Sequence, residues 1–315
     1  MKTISIIGCG KVGKTLGKLF TIHGVARVVQ VLNRSRASAQ TAVEFIGSGQ
    51  VVEDFEELVP ADVVLIAASD DAISQCSSKV AASPAVRDGT VVLHCSGSQP
   101  SESMAVVRKR GGRIASVHPV KSFADPGLSV ESFRGTYCAV EGDGEAIHLV
   151  TELFEPVGGI LFAVNPEYKL LYHAGTVVVC NYLTALLEVG LRCYEKAGIE
   201  RSIAMQLMRP IVEGTIVNNY VLGTAHALTG PIARGDDQLV SRQLETIRHW
   251  DAGIGGNYAA LGLIAVELSE QQGHAQVRHL EAIRATLMAY GSQPSGFAGR
   301  DVLGGKTGAG ERHET

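Results

Sequence analysis

The first twenty residues combine a short apolar run, a glycine-rich turn and an amphipathic helical pattern. Residues 4–7 supply three isoleucines, and such an apolar run is typical of a buried parallel strand. Three glycines follow within residues 8–13, and apolar side chains then recur at helical spacing from Val12 to Phe20. The pattern predicts a strand, a tight turn and a helix in succession.

Strand-like and helix-like segments continue to alternate through the first half of the chain. This alternation is typical of βαβ units, and it predicts an α/β domain with a doubly wound sheet of the Rossmann type over residues 1–164. The further predicted strands cover residues 26–32, 50–52, 61–67, 90–94, 112–117 and 136–140.

The second half shows helical spacing throughout, and it predicts an all-α domain over residues 165–295. Asn165 and Pro166 are a typical cap and first residue of a helix, which we expect to extend to about residue 197. Because polar residues such as Asn181 interrupt its most apolar stretch, we expect a buried helix rather than a membrane span. Residues 296–315 are rich in glycine and polar residues and are predicted to be disordered. The other predicted helices cover residues 201–216, 238–250, 258–270 and 275–290.

Composition narrows the functional classes. Of the 315 residues, 45% are apolar and 19% are charged, which is enough apolar material for two globular domains. The net charge of −4, without a block of basic residues, argues against nucleic-acid binding. Six scattered cysteines form no C-x-x-C pair, so we expect neither a zinc site nor disulfides, but reduced cysteines in the core. Because the chain enters a strand at once, we expect no signal peptide and a cytoplasmic location.

The glycine-rich turn matches the dinucleotide-binding pattern G-x-G-x-x-G. Gly8 permits the turn out of the strand, Gly10 lets the backbone approach a pyrophosphate, and Gly13 lets the helix pack close to the strand. Free N–H groups at the helix start favour the phosphate charge. The alternative is a glycine-rich turn with no ligand. The residues predicted to form the cofactor-binding turn are Gly8, Cys9, Gly10, Lys11, Val12 and Gly13.

The end of the second predicted strand bears on the choice between NAD and NADP. NAD enzymes place an acidic residue there to bind the ribose 2′-hydroxyl, whereas this chain has Asn33, Arg34 and Ser35, followed by Arg36. A carboxylate would repel a 2′-phosphate, while an arginine and a hydroxyl can bind it, so we predict NADP as the cofactor. The alternative is that the two arginines form only a solvated turn.

Further candidates follow the strand at residues 61–67. Doubly wound sheets bind ligands at the carboxyl ends of their strands, where Ala68 and Ser69 are placed by this prediction. We therefore expect both residues to contribute to the cofactor site. Asp70 is expected to cap the next helix instead.

Two later strand ends carry candidates for chemistry on a substrate. The Ser96 hydroxyl can hydrogen-bond a substrate oxygen, and His118 has a pKa range suited to proton exchange near neutral pH. Pro119 restricts His118 to an extended conformation. His94 is expected to be a core histidine.

The long helix of the second domain carries polar residues at spacings of three to five, which keeps them on one face. A polar stripe on a buried helix is costly unless its groups are paired or hydrated, so it indicates a cleft or, alternatively, interhelical hydrogen bonds. Farther along, Thr229 and Arg234 lie in a loop with Gly-Pro and Arg-Gly-Asp steps. They are candidates for binding a substrate carboxylate, although Arg234 can equally pair with a neighbouring aspartate. The stripe comprises Lys169, His173, Thr176, Cys180, Asn181 and Thr184.

Six motifs along the chain can be compared with known families. They are G-C-G-K-V-G, N-R-S, V-V-L-H-C-S-G-S, V-H-P-V-K-S-F, K-L-L-Y-H-A-G-T-V-V-V-C-N-Y-L and A-L-T-G-P-I-A-R-G-D. Together they resemble one family of bacterial Rossmann-like oxidoreductases, whose second domain is the domain of unknown function 2520. More distantly, the chain resembles ketopantoate reductase, pyrroline-5-carboxylate reductase and the β-hydroxyacid dehydrogenases. The resemblance implies an NADP-binding domain, a helical domain like the C-terminal domain of 6-phosphogluconate dehydrogenase, and a homodimer built through the long helix.

The distant relatives also suggest roles for individual residues. β-Hydroxyacid dehydrogenases use a lysine on the first helix of the second domain and an asparagine four residues later. Here Lys169 has His173 at that spacing, and Asn181 comes eight residues farther on. The His118-Pro119 pair resembles the His-Pro of prephenate dehydrogenases, in which the histidine contacts the substrate.

These observations lead to one main functional hypothesis and two alternatives. The main hypothesis is NADP-dependent hydride transfer to or from a small 2-oxo or 2-hydroxy acid. His173 or Lys169, or else His118, would exchange the proton, while Asn181 and Ser96 would orient the substrate. The alternatives are an imine reductase and a non-catalytic, regulatory NADP-binding protein.

Overall fold

The computed structural model describes residues 1–291, which divide into two compact units between Thr184 and Ala185. The division falls inside the long helix α6 (Lys169–Lys196), because the first turns of this helix pack with the sheet unit. The boundary predicted at residue 164 therefore differs from the division into compact units. The tail predicted to be disordered, residues 296–315, lies outside the described residues.

The first unit contains an eight-stranded sheet in the order β3-β2-β1-β4-β5-β6-β7-β8. All neighbouring strands are parallel except β6 and β7. The first six strands have the order of a dinucleotide-binding sheet, so the predicted fold class is confirmed. The strands are β1 (Lys2–Ile7), β2 (Ala26–Leu32), β3 (Gln50–Val52), β4 (Val63–Ile66), β5 (Val91–His94), β6 (Arg113–Pro119), β7 (Tyr137–Gly142) and β8 (Ile160–Ala163).

Helices cover both faces of this sheet, which is why its central strands read as continuous apolar runs. In β1, Ile4 and Ile6 belong to the core cluster on one face, whereas Ile7 belongs to the cluster on the other. The α-helices of this part are α1 (Lys11–Ile22), α2 (Arg36–Ile46), α3 (Ile73–Ala82), α4 (Pro126–Glu131) and α5 (Gly144–Phe154), and the 3₁₀ helices are Phe55–Glu57, Asp70–Ala72, Ser101–Arg110 and Pro166–Tyr168.

The second unit is helical, and its core lies between α9, α10 and α11. Buried side chains such as Val240, Val266 and Ile283 meet there. Helix α7 is longer than predicted and contains a break at Gly223, where φ is 77°. Its elements are the end of α6, α7 (Arg201–Ala227), α8 (Pro231–Arg234), α9 (Asp237–Trp250), α10 (Ala252–Gln272) and α11 (Val277–Gly291).

The prediction that the long helix is buried is wrong for the single chain. On α6, the apolar side chain of Val179 is 72% exposed, and on α7 Tyr220 is 88% exposed and Val221 is 74% exposed. Cys180 on α6 is also exposed, contrary to the expectation of core cysteines. By length and composition alone, the segment Pro166–Lys196 is apolar enough to cross a membrane, although hydropathy of this kind is weak evidence for a span.

Candidate active site

The turn between β1 and α1 has the backbone geometry that the glycine pattern predicts. Gly8 has φ +73°, and an added Cβ would lie 2.8 Å from backbone atoms of Ala68 at the end of β4. At Gly13, an added Cβ would lie 3.2 Å from the Cβ of Ala67. Gly10 differs, because the only heavy atom within 4 Å of its added Cβ would be the Gly8 carbonyl oxygen at 3.9 Å. Gly8 and Gly13 therefore allow close packing against the residues after β4, whereas Gly10 leaves space on the outer side of the turn.

The start of α1 is suited to an anion. No acidic residue lies in its first turn, no side chain caps it, and Lys11 and Lys14 lie there instead. The turn is held by Asn33, whose Oδ1 accepts a hydrogen bond from the Cys9 N–H at 2.6 Å. Unsatisfied N–H groups and the helix dipole favour a phosphate at such a terminus. The residues present thus fit the pyrophosphate of a dinucleotide, with Asn33 shaping the turn.

The arginines after β2 have different partners. Arg36 forms an ion pair with Glu53. Arg34 is exposed and forms no ion pair among residues 1–291. Ser35 caps α2, accepting a hydrogen bond from the Ser38 N–H at 3.3 Å. Arg34 interacts electrostatically with Asp71 but forms no ion pair within the described part of the chain, so it is the arginine that can bind an added phosphate.

Residues after β4 lie beside the glycine turn, at the point where the sheet order reverses. Ala68 contacts the turn at Gly8, as described above, and Ser69 begins the short helix Asp70–Ala72. The prediction that Asp70 caps the next helix is wrong, since Asp70 is the first residue of that 3₁₀ helix. Its carboxylate instead accepts a hydrogen bond from Ser98 Oγ at 2.6 Å, which links the ends of β4 and β5.

Two histidines and a tyrosine meet beyond the carboxyl ends of β5 and β6. The Tyr172 hydroxyl lies 2.8 Å from His118 Nδ1, and the His118 and His173 rings have centroids 5.7 Å apart. Gly97 permits this approach: a Cβ there would lie 2.4 Å from His173 Cδ2 and 2.8 Å from His118 Cε1. We refer to His118, Tyr172, His173 and Gly97 as the imidazole cluster.

Burial keeps His118 uncharged near neutral pH. It lowers the pKa of His118 to about 4, and His173 and Lys169 act in the same direction. The Asp70 carboxylate acts in the opposite direction. A neutral imidazole retains one N–H donor and one acceptor, so His118 can donate a hydrogen bond without carrying charge.

Lys169 lies beneath the cluster and has lost its access to solvent. Its Nζ donates to Glu141 Oε1 at 2.8 Å and to the Ser116 hydroxyl. Glu141 in turn accepts two hydrogen bonds from Ser101, from the N–H at 2.8 Å and the hydroxyl at 2.6 Å. Burial lowers the pKa of Lys169, while Glu141 opposes that shift. The pair is thus an internal, hydrogen-bonded element of the sheet unit.

His94 and Ser96 form part of the support below the cluster. His94 is fully buried, as expected for a core histidine, and burial lowers its pKa to about 4. Its Nδ1 accepts a hydrogen bond from the Ser96 N–H at 3.1 Å. The Ser96 hydroxyl accepts hydrogen bonds from the Ser98 and Gln99 N–H groups. Ser96 therefore shapes the loop that carries Gly97.

Three predicted site residues are not members of the imidazole cluster. Asn181 is exposed on α6, eight residues and roughly 12 Å of helix rise beyond His173. Thr229 belongs to the second unit, where it lines an apolar cavity of about 370 Å³ that also contacts Cys193 and Tyr258. Arg234 ends α8 and is exposed; the alternative pairing with Asp236 or Asp237 is not observed.

Sequence reasoning missed four residues that the structure brings to this region. They are Asp70, Ser98, Glu141 and Tyr172. Of these, only Tyr172 could have been identified as a candidate site residue from the sequence, because it is adjacent to His173 within the motif L-L-Y-H-A-G. Glu141 lies in a strand whose pairing partner was not predictable from its own spacing.

Comparisons with known proteins agree with this fold. Residues 2–119 match the family described as a Rossmann-like domain, and residues 136–264 match the domain of unknown function DUF2520. No curated protein matches the sequence.

Solved structures with a similar fold include the following three. Protein TM1727 from Thermotoga maritima is 24% identical with a TM-score of 0.68, and the match covers 85% of this chain and 99% of that chain. Protein BF3122 from Bacteroides fragilis is 20% identical with a TM-score of 0.67, covering 85% and 98%. A reductive aminase from Aspergillus terreus, solved in complex with NADPH and ethyl levulinate, is 16% identical with a TM-score of 0.56, covering 92% and 93%.

Proposed function

We propose that this chain, which combines a Rossmann-like domain with a DUF2520 domain, is an NADP-dependent oxidoreductase acting on a small 2-oxo acid or an imine of similar size. The observation that carries the proposal is the imidazole cluster at the same sheet edge as the glycine turn. Ligands of doubly wound sheets bind along that edge. The Aspergillus terreus reductive aminase, whose structure holds NADPH, supports the cofactor class through its shared fold.

The residues that would hold the cofactor follow from the turn. Lys11, Val12 and Gly13 would present N–H groups to the pyrophosphate, and Gly10 would allow the approach. Arg34 would bind the 2′-phosphate, since Arg36 is engaged by Glu53. When bound, the nicotinamide supplies or accepts the hydride.

We assign the role of hydrogen-bond and proton donor to the histidines rather than to Lys169. Lys169 donates to Glu141 and Ser116 and its side chain is fully buried, so it is not accessible to a substrate from solvent. His118 and His173 are partly exposed, and an imidazole N–H can donate to a substrate oxygen or nitrogen as negative charge develops on it. We therefore favour His118 or His173 as the donor.

Asp70 gives a specific reason to retain an imine as the second candidate substrate. Its carboxylate shifts the pKa of His118, His94 and Lys169 upward, so its field reaches the cluster. A negative field opposes a substrate carboxylate and favours an imine that carries no negative charge.

Calorimetry with NADPH and NADH tests the cofactor assignment. We expect wild-type protein to prefer NADPH, and Arg34→Ala to weaken NADPH binding by roughly 10–100-fold, the usual value of a hydrogen bond to a charged group. NADH binding should change little. Arg36→Ala is the matched control and should behave like wild type. Equal binding of both cofactors by the wild-type protein would refute the NADP assignment.

A substrate screen then separates the remaining hypotheses. NADPH absorbance is followed with 2-oxo acids and with cyclic imines in parallel. Turnover of only one class decides between oxo acid and imine reduction. NADPH binding without turnover of any compound would instead support the non-catalytic, regulatory alternative.

We also propose a cytoplasmic homodimer that covers the exposed apolar faces of α6 and α7. Val179 and Val221 lie on these faces, and a soluble chain rarely leaves such patches open. Light scattering should give twice the chain mass of 33.3 kDa. Val179→Glu and Val221→Glu should yield monomers, whereas Leu128→Glu, also exposed but on α4, should not. A requirement for detergent to extract the protein would favour a membrane span instead.

A further inference from the structure

We propose that Tyr172 is a positioning residue that fixes His118 in the tautomer with its proton on Nε2. This inference rests on the proposed function for its catalytic meaning, but its structural content can be measured without a substrate. The consequence is that the Nε2–H of His118 becomes the donor toward a reacting oxygen or nitrogen. Which ring nitrogen of a neutral histidine carries the proton is set by the partner of the other nitrogen.

The contact between the two side chains is close and well directed. The Tyr172 oxygen lies 2.8 Å from His118 Nδ1, and the rings pack edge to face with centroids 5.7 Å apart. Tyr172 is itself held by the ring of Phe162, with centroids 6.1 Å apart, and Phe162 packs on Tyr137. The hydroxyl is therefore presented to Nδ1 by a fixed ring.

The direction of the proton follows from the chemistry of both groups. Burial raises the pKa of Tyr172, so the phenol keeps its proton, although the Thr176 side chain opposes the shift. His118 is neutral at pH 7, because burial lowers its pKa to about 4. The Thr176 hydroxyl donates its hydrogen to the Tyr172 backbone carbonyl, and the phenol O–H donates into Nδ1. Nδ1 is then the acceptor and Nε2 carries the hydrogen.

The opposite side of the imidazole is kept clear by Gly97. A Cβ at that position would lie 2.9 Å from His118 Nε2, so any larger residue would occupy the space next to the donor. The charged and titratable groups that influence His118 are His173, Lys169 and Asp70. Lys169 is neutralised by Glu141, and the donor edge is thus bordered by His173 and the glycine backbone.

Nitrogen-15 NMR of histidine-labelled protein tests the tautomer directly. His118→Gln identifies the His118 signals by their loss. In wild-type protein at pH 7, we expect a protonated Nε2 and an unprotonated Nδ1. Tyr172→Phe keeps the ring contacts but removes the donor, and it should shift the population toward the Nδ1–H tautomer. Tyr137→Phe is the matched control and should leave the His118 signals unchanged.

Two outcomes would overturn the inference. One is a wild-type His118 that carries its proton on Nδ1. The other is a Tyr172→Phe spectrum identical to that of wild type, which would show that the hydroxyl does not select the tautomer.

Kinetics and titration provide a second readout that a merely structural residue would not change. Tyr172→Phe should lower kcat roughly 10-fold with NADPH affinity unchanged, because a donor that is no longer held in its productive orientation accelerates the reaction less. Because a donor to Nδ1 favours the neutral ring, the His118 pKa should rise in the variant. A protein that fails to bind NADPH would refute the proposed function while leaving the NMR result valid. If the wild-type enzyme is active but His118 carries its proton on Nδ1, only this inference is refuted.

Discussion

Replacing Lys169 by methionine separates a structural role for this residue from a catalytic one. The lysine is fully buried, and its Nζ is shared between Glu141 and Ser116. Methionine fills a similar volume but removes the positive charge. The Glu141 carboxylate then remains inside the sheet unit with only the two hydrogen bonds from Ser101.

The expected magnitude follows from the uncompensated charge. Removing one partner of a buried ion pair costs about 3–5 kcal/mol, compared with a total stability of about 5–15 kcal/mol for a typical domain. The hydrogen bonds from Ser101 stabilise part of the remaining charge, so we expect about 3 kcal/mol for Lys169→Met. Adding Glu141→Gln removes that charge. The double variant should therefore be more stable than Lys169→Met alone.

Urea unfolding followed by far-UV circular dichroism measures this loss. Trp250, the single tryptophan, lies in the helical unit, so its fluorescence reports on that unit separately. Lys109→Met, exposed in the sheet unit, is the control and should change stability by less than about 0.5 kcal/mol. A loss below about 1 kcal/mol for Lys169→Met, or no rescue in the double variant, would refute the buried-pair reasoning.

Two further predictions concern pH and the imidazole cluster. The folded-state pKa values of His94 and His118, about 4, lie below the ordinary value near 6.5. Between about pH 4 and pH 6.5, the unfolded state therefore binds more protons than the folded state. The free energy of unfolding is highest above about pH 6.5 and decreases as the pH falls toward 4. His94 alone should account for about 3 kcal/mol of this decrease. Urea midpoints across this range should show the decrease, and His94→Gln should reduce it; an unchanged slope would contradict the assignment. Gly97→Ala should displace the His118 and His173 rings and lower turnover by about 10², with unchanged NADPH affinity, whereas Gly144→Ala, which has open space, should be neutral in both assays.

The spacing of residues along the sequence was sufficient to predict features that depend on one continuous segment. The glycine turn could be predicted because each glycine meets its requirement within one strand, one turn and one helix. Gly8 and Gly13 have the close contacts expected of them, and Gly10 faces open space. The first six strands followed from the same local alternation.

The spacing of residues along the sequence did not predict features that depend on contacts between two distant segments. In the sequence, Asp70 stands where a helix cap is expected. Only the structure shows that its carboxylate accepts a hydrogen bond from Ser98, in the loop after β5. Likewise, β7 runs antiparallel to β6, which brings Glu141 opposite Ser116 in the ladder. Strand β8 was not predicted because four largely exposed residues give no periodic signal. The burial of α6 was misjudged because an apolar composition does not identify what covers the surface.

The buried pair and the open imidazoles meet different requirements at the same sheet edge. An unpaired charge on Lys169 would be costly to bury, and Glu141 removes that cost while Ser101 satisfies the carboxylate. In the imidazole cluster, the neutral His118 ring remains as a hydrogen-bond donor. Under the proposed function, a neutral N–H binds an uncharged substrate oxygen or nitrogen only modestly. It binds the same atom more strongly as negative charge develops, and this difference between ground state and transition state is what accelerates a reaction.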